Sequence, residues 1–154
     1  NKNETSGELN PAKRYVVNVG SNRNDLSGGS LYSVKTVFVH PEYNGGGTHH
    51  FYHDVGLLEL TTDIDLGERA QLVSIAMPDD RPRDGANVLI TGYGRNPDHP
   101  GEKRLYQVQM NVITAERCVT LVSGGKVKEV DQRQICVEGE NKNQCPGDSG
   151  GKRS

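Results

Sequence analysis

A serine set between glycines is the residue best placed for nucleophilic chemistry. Residues 145–151 read CPGDSGG and hold it as Ser149. A serine hydroxyl is a weak nucleophile until a base takes its proton and nearby donors stabilise the oxyanion that forms. Flanking glycines permit a turn that aims successive backbone N–H groups at one point. Since Gly-Asp-Ser-Gly is also typical of a surface turn, the segment alone leaves both interpretations open.

An aspartate that opens an apolar stretch is the second candidate. Asp54 directly precedes residues 55–60, which read VGLLEL. A carboxylate at the entrance to a core must find hydrogen-bond partners, because burial without them is costly. Orienting a catalytic imidazole is one such partnership, and capping a strand from a turn is the other.

Short β segments would position these residues. Apolar or alternating stretches bounded by Gly, Asn and Pro predict strands at 15–20, 31–40, 55–60, 87–91, 105–113 and 134–137. This pattern predicts an all-β barrel or sandwich. One helical turn is predicted at residues 114–118, with Thr114 as its cap. Residues 66–83, which contain Pro78 and Pro82, are predicted to link two halves.

Composition excludes several function classes. The 154 residues carry a net charge of −2, which argues against a nucleic-acid partner or an anionic membrane surface. No apolar run approaches the roughly 20 residues that span a membrane. The start at Asn1, without a methionine, predicts the interior of a longer chain. The three cysteines have neither zinc-ribbon nor C-x-x-C spacing, and their odd number predicts a lost partner or a free thiol.

Four sequence blocks, taken together, resemble the chymotrypsin/trypsin family of serine proteases. They occur in the family's order at residues 40–43 (HPEY), 53–60 (HDVGLLEL), 91–94 (TGYG) and 145–151. The resemblance implies an all-β double antiparallel β-barrel, truncated at both ends. It assigns residues 1–78 to the later part of the first barrel and residues 79–154 to the first part of the second. The active site would lie in the cleft between the barrels.

The same resemblance implies the catalytic roles. Asp54 resembles the buried acid that holds a histidine in the correct tautomer, and Ser149 resembles the nucleophile. The backbone N–H groups of Gly147 and Ser149 resemble the oxyanion hole. The intact protein would then hydrolyse peptide bonds through an acyl-enzyme.

Further roles follow from the resemblance alone. Asp148 resembles the acid that pairs with the new N-terminal amine after zymogen cleavage. Asn143 sits where the family has the floor of the specificity pocket. Cys118 and Cys136 resemble one disulfide, and Cys145 is unpaired here because its family partner lies downstream.

The family's catalytic histidine has no counterpart in this sequence. In the family it lies upstream of the acid, in a Thr-Ala-Ala-His-Cys-like block that these residues do not contain. We predict that none of the five histidines is the base: His40, His49, His50, His53 and His99. The chain as given should therefore be inactive. The alternative is a non-catalytic homologue that binds a partner, although retention of both Asp54 and Ser149 argues against it.

The resemblance also implies partners and location. It implies a secreted protein with protein or peptide substrates, protein protease inhibitors as partners, and no cofactor. No metal is predicted, since the segment after Ser21 lacks the acidic spacing of the family's calcium loop. A zinc site at His49, His50 and His53 is the alternative to solvated histidines in a glycine loop.

Overall fold

The computed structural model describes residues 11–43, 53–123, 130, 134–140 and 144–151. The chain divides into two compact units. The first takes the residues up to Ser21 together with Leu26–Leu72, and the second takes Asn22–Asp25 together with the residues from Val73 onward. In the described part of the chain, no helix is long and apolar enough to cross a membrane.

The first unit is built on a three-stranded antiparallel sheet in the order β1-β2-β3. After a 3₁₀ turn at Ala12–Arg14 come β1 (Val16–Val19), β2 (Ser30–Val39) and β3 (Gly56–Leu60). Tyr32 and Val34 are buried, because residues two apart in a strand point to the same face. The Tyr32 hydroxyl accepts the Asp65 N–H at 3.1 Å, which fixes the chain that leaves β3.

The second unit holds a second antiparallel sheet, in the order β4-β5-β6. Among its described residues, the strands are β4 (Asn87–Gly92), β5 (Tyr106–Ile113) and β6 (Cys136–Glu138). The same residues include a 3₁₀ turn at Pro78–Asp80 and the helix α1 (Ala115–Ser123). The core is formed by alternate residues of β4 and β5, because the side chains that share one face of a sheet recur at every second residue. Its buried members are Val88, Ile90, Met110 and Val112.

All six predicted strands are confirmed, but the predicted helical turn is too short. Thr114 does cap the helix, since its Oγ1 accepts the Arg117 N–H at 3.2 Å. The helix then continues to Ser123, well beyond the five residues predicted. Cys118, which is buried on α1, is joined by a disulfide to Cys136 and so anchors the helix to β6.

One short segment joins the second unit out of sequence order. Leu105 donates its N–H to the Asn22 carbonyl at 2.7 Å, and Asn24 donates to Lys103 O at 3.2 Å. The Asn24 side-chain amide also reaches Tyr93 O at 3.4 Å. Asn22–Asp25 thus packs beside residues 93 and 103–105. No pattern in the sequence predicted that these four residues belong to the second unit.

Candidate active site

The segment around Ser149 consists of two consecutive tight turns. Asp148 donates its N–H to Cys145 O at 3.1 Å, and Gly151 donates to Asp148 O at 3.0 Å. The third position of each turn is a glycine with positive φ, +99° at Gly147 and +80° at Gly150, as type II turns require. These turns leave Ser149 exposed. The glycines are therefore needed for the backbone path that presents the hydroxyl.

Pro146 also suits this geometry. It occupies the second position of the first turn, where the fixed φ of proline is favourable and no N–H is required. Its carbonyl accepts the Arg95 N–H at 3.0 Å. The proline thus helps to fasten the serine segment to the loop that follows β4.

Two backbone donors in this segment are available to a ligand. Within the described residues, the N–H groups of Gly147 and Ser149 donate to no other group. Exposed N–H groups beside a nucleophile are what an oxyanion hole needs. Their assignment to that role stays a prediction.

The Asp148 carboxylate points away from the serine and into the TGYG block. Its Oδ1 accepts the Gly94 N–H at 2.7 Å, and its Oδ2 accepts the Cys145 N–H at 3.0 Å. Both are charge-assisted bonds to a half-buried carboxylate. This arrangement explains an acid next to a candidate nucleophile, because the negative charge is held by other donors.

The two glycines of the TGYG block make room for Asp148. A Cβ on Gly92 would overlap the Asp148 carboxylate, and one on Gly94 would lie 2.5 Å from its Cγ. Because any side chain at either position would displace the carboxylate, glycine is required at both. From the sequence alone, these residues are identified only as a block typical of the family. The regular Gly-aromatic-Gly spacing was the available signal, but it did not identify the partner.

Beside Asp148 the second unit has a cleft of about 850 Å³. Asp148 and Cys145 line it together with residues of β4, β5 and the segment Gly94–Asp98. Tyr106 forms part of the wall, and its hydroxyl donates to the Glu102 carboxylate at 2.7 Å. That hydrogen bond raises the pKa of Tyr106 and lowers the pKa of Glu102.

Asp54 lies in the first unit, in the two-residue link that enters β3. Val55 donates its N–H to His53 O at 2.8 Å, and His40 donates to Val55 O at 3.2 Å. Asp54 itself is exposed, and no donor among the described residues contacts its carboxylate. The implied burial of this acid is therefore not found. Asp54 and Ser149 belong to different units, so their pairing stays a prediction.

The described cysteines occur as one disulfide and one free thiol. Cys118 on α1 is bonded to Cys136 on β6, with their Cα atoms 6.0 Å apart. Cys145 is free and half-buried beside the serine segment. Asn143, His49 and His50 lie outside the described residues, so the pocket-floor role of Asn143 stays a prediction.

Replacing both Cys118 and Cys136 by Ala should lower the free energy of unfolding by about 3 kcal/mol, since the disulfide closes a loop with a sequence separation of 18. Urea denaturation of both forms measures the change. Thiol titration of the unreduced chain should find a single reactive cysteine. Peptide mapping that found Cys145 bridged to either of the others would contradict the pairing.

Comparison with known proteins identifies the class. The family model described as Trypsin matches residues 6–152, so the chain belongs to the trypsin family of serine proteases. Trypsin epsilon of Drosophila erecta is 30% identical over 149 residues, which cover 91% of this chain and 53% of that protein. The chain spans about half the length of the curated relatives it matches.

Solved structures show the same fold. Neuropsin, a serine protease of mouse brain, superimposes with a TM-score of 0.73 at 23% identity, over 89% of this chain and 60% of that one. An inactivated protease paralogue of the scabies mite gives a TM-score of 0.72 at 20% identity, over 90% and 60%. The predicted family and fold class, the all-β double barrel of trypsin-like proteases, are thus confirmed.

Proposed function

We propose that this chain is part of a serine endopeptidase that hydrolyses peptide bonds through an acyl-enzyme, with Ser149 as the nucleophile. The observation that carries the proposal is the presentation of Ser149. The residue is exposed at the second position of the second glycine turn, and the N–H groups of Gly147 and Ser149 have no partner among the described residues. Meanwhile the neighbouring carboxylate of Asp148 is held by Gly94 and Cys145.

The chemistry proceeds in two halves. A histidine removes the Ser149 proton as the hydroxyl oxygen attacks the scissile carbonyl carbon, and Asp54 keeps that imidazole in the required tautomer. The Gly147 and Ser149 N–H groups stabilise the negative oxygen of the tetrahedral intermediate. The imidazolium then protonates the leaving amine, and water hydrolyses the acyl ester by the same steps.

The base is expected from residues outside this sequence. These 154 residues contain no block like the one that carries the family's histidine. Within the first unit, His40 and His53 are stacked on each other with ring centroids 4.4 Å apart. Without a base Ser149 keeps its proton near neutral pH, so the chain by itself is proposed to be inactive.

Asp148 is proposed to respond to zymogen cleavage. Each of its oxygens accepts one backbone N–H in this structure, and a carboxylate oxygen can accept a second hydrogen bond. The adjacent cleft gives an amine a route to the carboxylate. A new N-terminal ammonium group would then form an ion pair there.

The proposed protease activity also suggests where the protein acts and what it binds. We place it outside the cell, with protein or peptide substrates and with protein protease inhibitors as partners. Several curated relatives carry protease names, such as the trypsin of Simulium vittatum and the chymotrypsin-like serine proteinase of Haliotis rufescens. Neutral Asn143 at the proposed pocket floor would not pair with a buried Lys or Arg side chain.

The second candidate is a non-catalytic homologue that acts as a binding protein. The inactivated paralogue from the scabies mite has the same fold, so the fold is compatible with loss of activity. Two features favour the enzyme, namely the acid at residue 54 and the serine at residue 149. The residue at the position of the catalytic histidine in the full-length protein decides between the two.

A fluorophosphonate probe tests the proposal, because it reacts only with an activated serine. The full-length, activated protein should be labelled at Ser149, and Ser149→Ala should abolish labelling. Ser74→Ala is the matched control, since this exposed serine lies in a stretch without regular structure, and it should label normally. The 154-residue chain should stay unlabelled. A full-length protein that is folded but unlabelled would favour the binding protein.

A further inference from the structure

A cluster of possible metal ligands lies in the first unit, and it does not include the proposed nucleophile. His40, Glu42 and His53 each offer one ligand atom, and these atoms all lie within 4.8 Å of one another. The His53 Nε2 is 3.7 Å from the Glu42 Oε2. We propose that these three side chains bind a Zn²⁺ ion. The site does not depend on a catalytic role for Asp54, the next residue in the chain.

The donor set suits zinc better than the alkaline-earth cations. Two imidazoles and one carboxylate are ligands typical of zinc sites with three protein ligands, in which water takes the fourth position. Calcium would require six to eight oxygens, and this cluster supplies one carboxylate. In a tetrahedral site with bonds of about 2.0–2.1 Å, neighbouring donors lie about 3.4 Å apart. The separation between His53 and Glu42 is already close to that value.

The backbone brings the ligands together before any metal binds. His40 follows β2 and His53 precedes β3, and hydrogen bonds from His40 N to Val55 O and from Val55 N to His53 O join the two segments. His53 has a φ of +56°, an unusual conformation for a residue with a side chain. In this arrangement the His53 ring stacks on that of His40 with an interplanar angle of 16°.

Binding requires a small local rearrangement. The lone pairs of two nearly parallel rings do not converge, so one imidazole must tilt toward the other. His40 Nδ1 now accepts the Glu42 N–H at 3.1 Å, and a metal at that nitrogen would replace this bond. All three side chains reach solvent, because Glu42 is exposed and both histidines are half-buried. They therefore have room to move, and the metal can enter directly.

The sequence predicted no metal, and the alternative zinc site that it offered had a different set of ligands. That set consisted of adjacent histidines, His49, His50 and His53. The structure instead combines His53 with two residues of the HPEY block. Pairing of β2 with β3 in antiparallel register produces this proximity, and local spacing does not reveal it.

Zinc titration of the 154-residue chain tests the proposal. Isothermal titration calorimetry is carried out on the Cys145→Ser variant, because the free thiol of Cys145 is itself a potential zinc ligand.

One zinc ion should bind per chain. His53→Asn should weaken binding by at least about tenfold, since even outer-shell changes cost about 10–100-fold. Asn tolerates positive φ, so this variant keeps the backbone. Glu42→Gln removes the anionic ligand from an exposed position and should weaken binding similarly.

Two controls separate this site from other histidines. His99 lies 3.9 Å from Glu102, an imidazole–carboxylate pair without a second imidazole, so His99→Ala should bind zinc as the parent does. The double change His49→Ala/His50→Ala should also leave the affinity unchanged. Equal zinc affinity in the parent, His53→Asn and Glu42→Gln would overturn the proposal, as would loss of binding in either control. Zinc-dependent shifts of the His40 and His53 ring NMR signals provide a second readout.

Discussion

Replacing Asp54 by Asn in the full-length, activated protein is expected to slow fluorophosphonate labelling and peptide hydrolysis by about four orders of magnitude, the loss this change causes in a Ser-His-Asp triad. The asparagine amide would donate toward the imidazole and favour the wrong tautomer. It would also leave the imidazolium formed during attack without a compensating charge. The effect should appear in kcat, because Asp54 is proposed to act on the base and not on the substrate.

A nearby acid provides the control. Asp63→Asn makes the same chemical change at an exposed site beyond the end of β3, and it should leave the rate within about twofold, as surface substitutions rarely disturb a fold. Residue 54 is itself exposed in this structure, so Asp54→Asn should leave the thermal stability of the 154-residue chain unchanged. A loss smaller than about tenfold in the intact protein would show that Asp54 is not the acid of a triad.

Substituting Gly92 or Gly94 by Ala is expected to lower the free energy of unfolding by about 1–3 kcal/mol, the usual cost of forcing an extra carbon into a packed site. A methyl group at either position meets the Asp148 carboxylate. Relieving the overlap would move Asp148 away from the N–H groups of Gly94 and Cys145. Urea denaturation of the 154-residue chain measures the change.

Two comparisons show whether Asp148 is the cause. Gly67→Ala is the matched control, since nothing lies within 4 Å of a Cβ there and its φ is not positive, and it should cost little. In an Asp148→Ala background the carboxylate is gone and only the Cβ of residue 148 remains, 3.2 Å from a Cβ at position 92, so Gly92→Ala should cost at least about 1 kcal/mol less than it does alone. If the two changes were simply additive, the contact between Asp148 and the TGYG block would not be what requires glycine.

Local regularities were enough to predict the strands and much of the site. Period-two alternation located β5, and an apolar stretch bounded by glycines located β4. Alternate residues of these two strands form the core, namely Val88, Ile90, Met110 and Val112. The glycines beside Ser149 indicated a tight turn, and the structure has two consecutive turns here, the second of which contains Ser149. These features depend on neighbours a few residues away, where turn chemistry and side-chain alternation act.

Contacts between distant segments were decided only by the tertiary structure. Asp148 is bound by Gly94, 54 residues earlier, and that contact explains both the acid beside the serine and the glycines of the TGYG block. A disulfide joins buried Cys118 on helix α1 to Cys136 on β6. The cluster of His40, Glu42 and His53 forms where β2 pairs with β3. In each case packing brings together groups that are far apart in the sequence, and no local sequence pattern encodes such a contact.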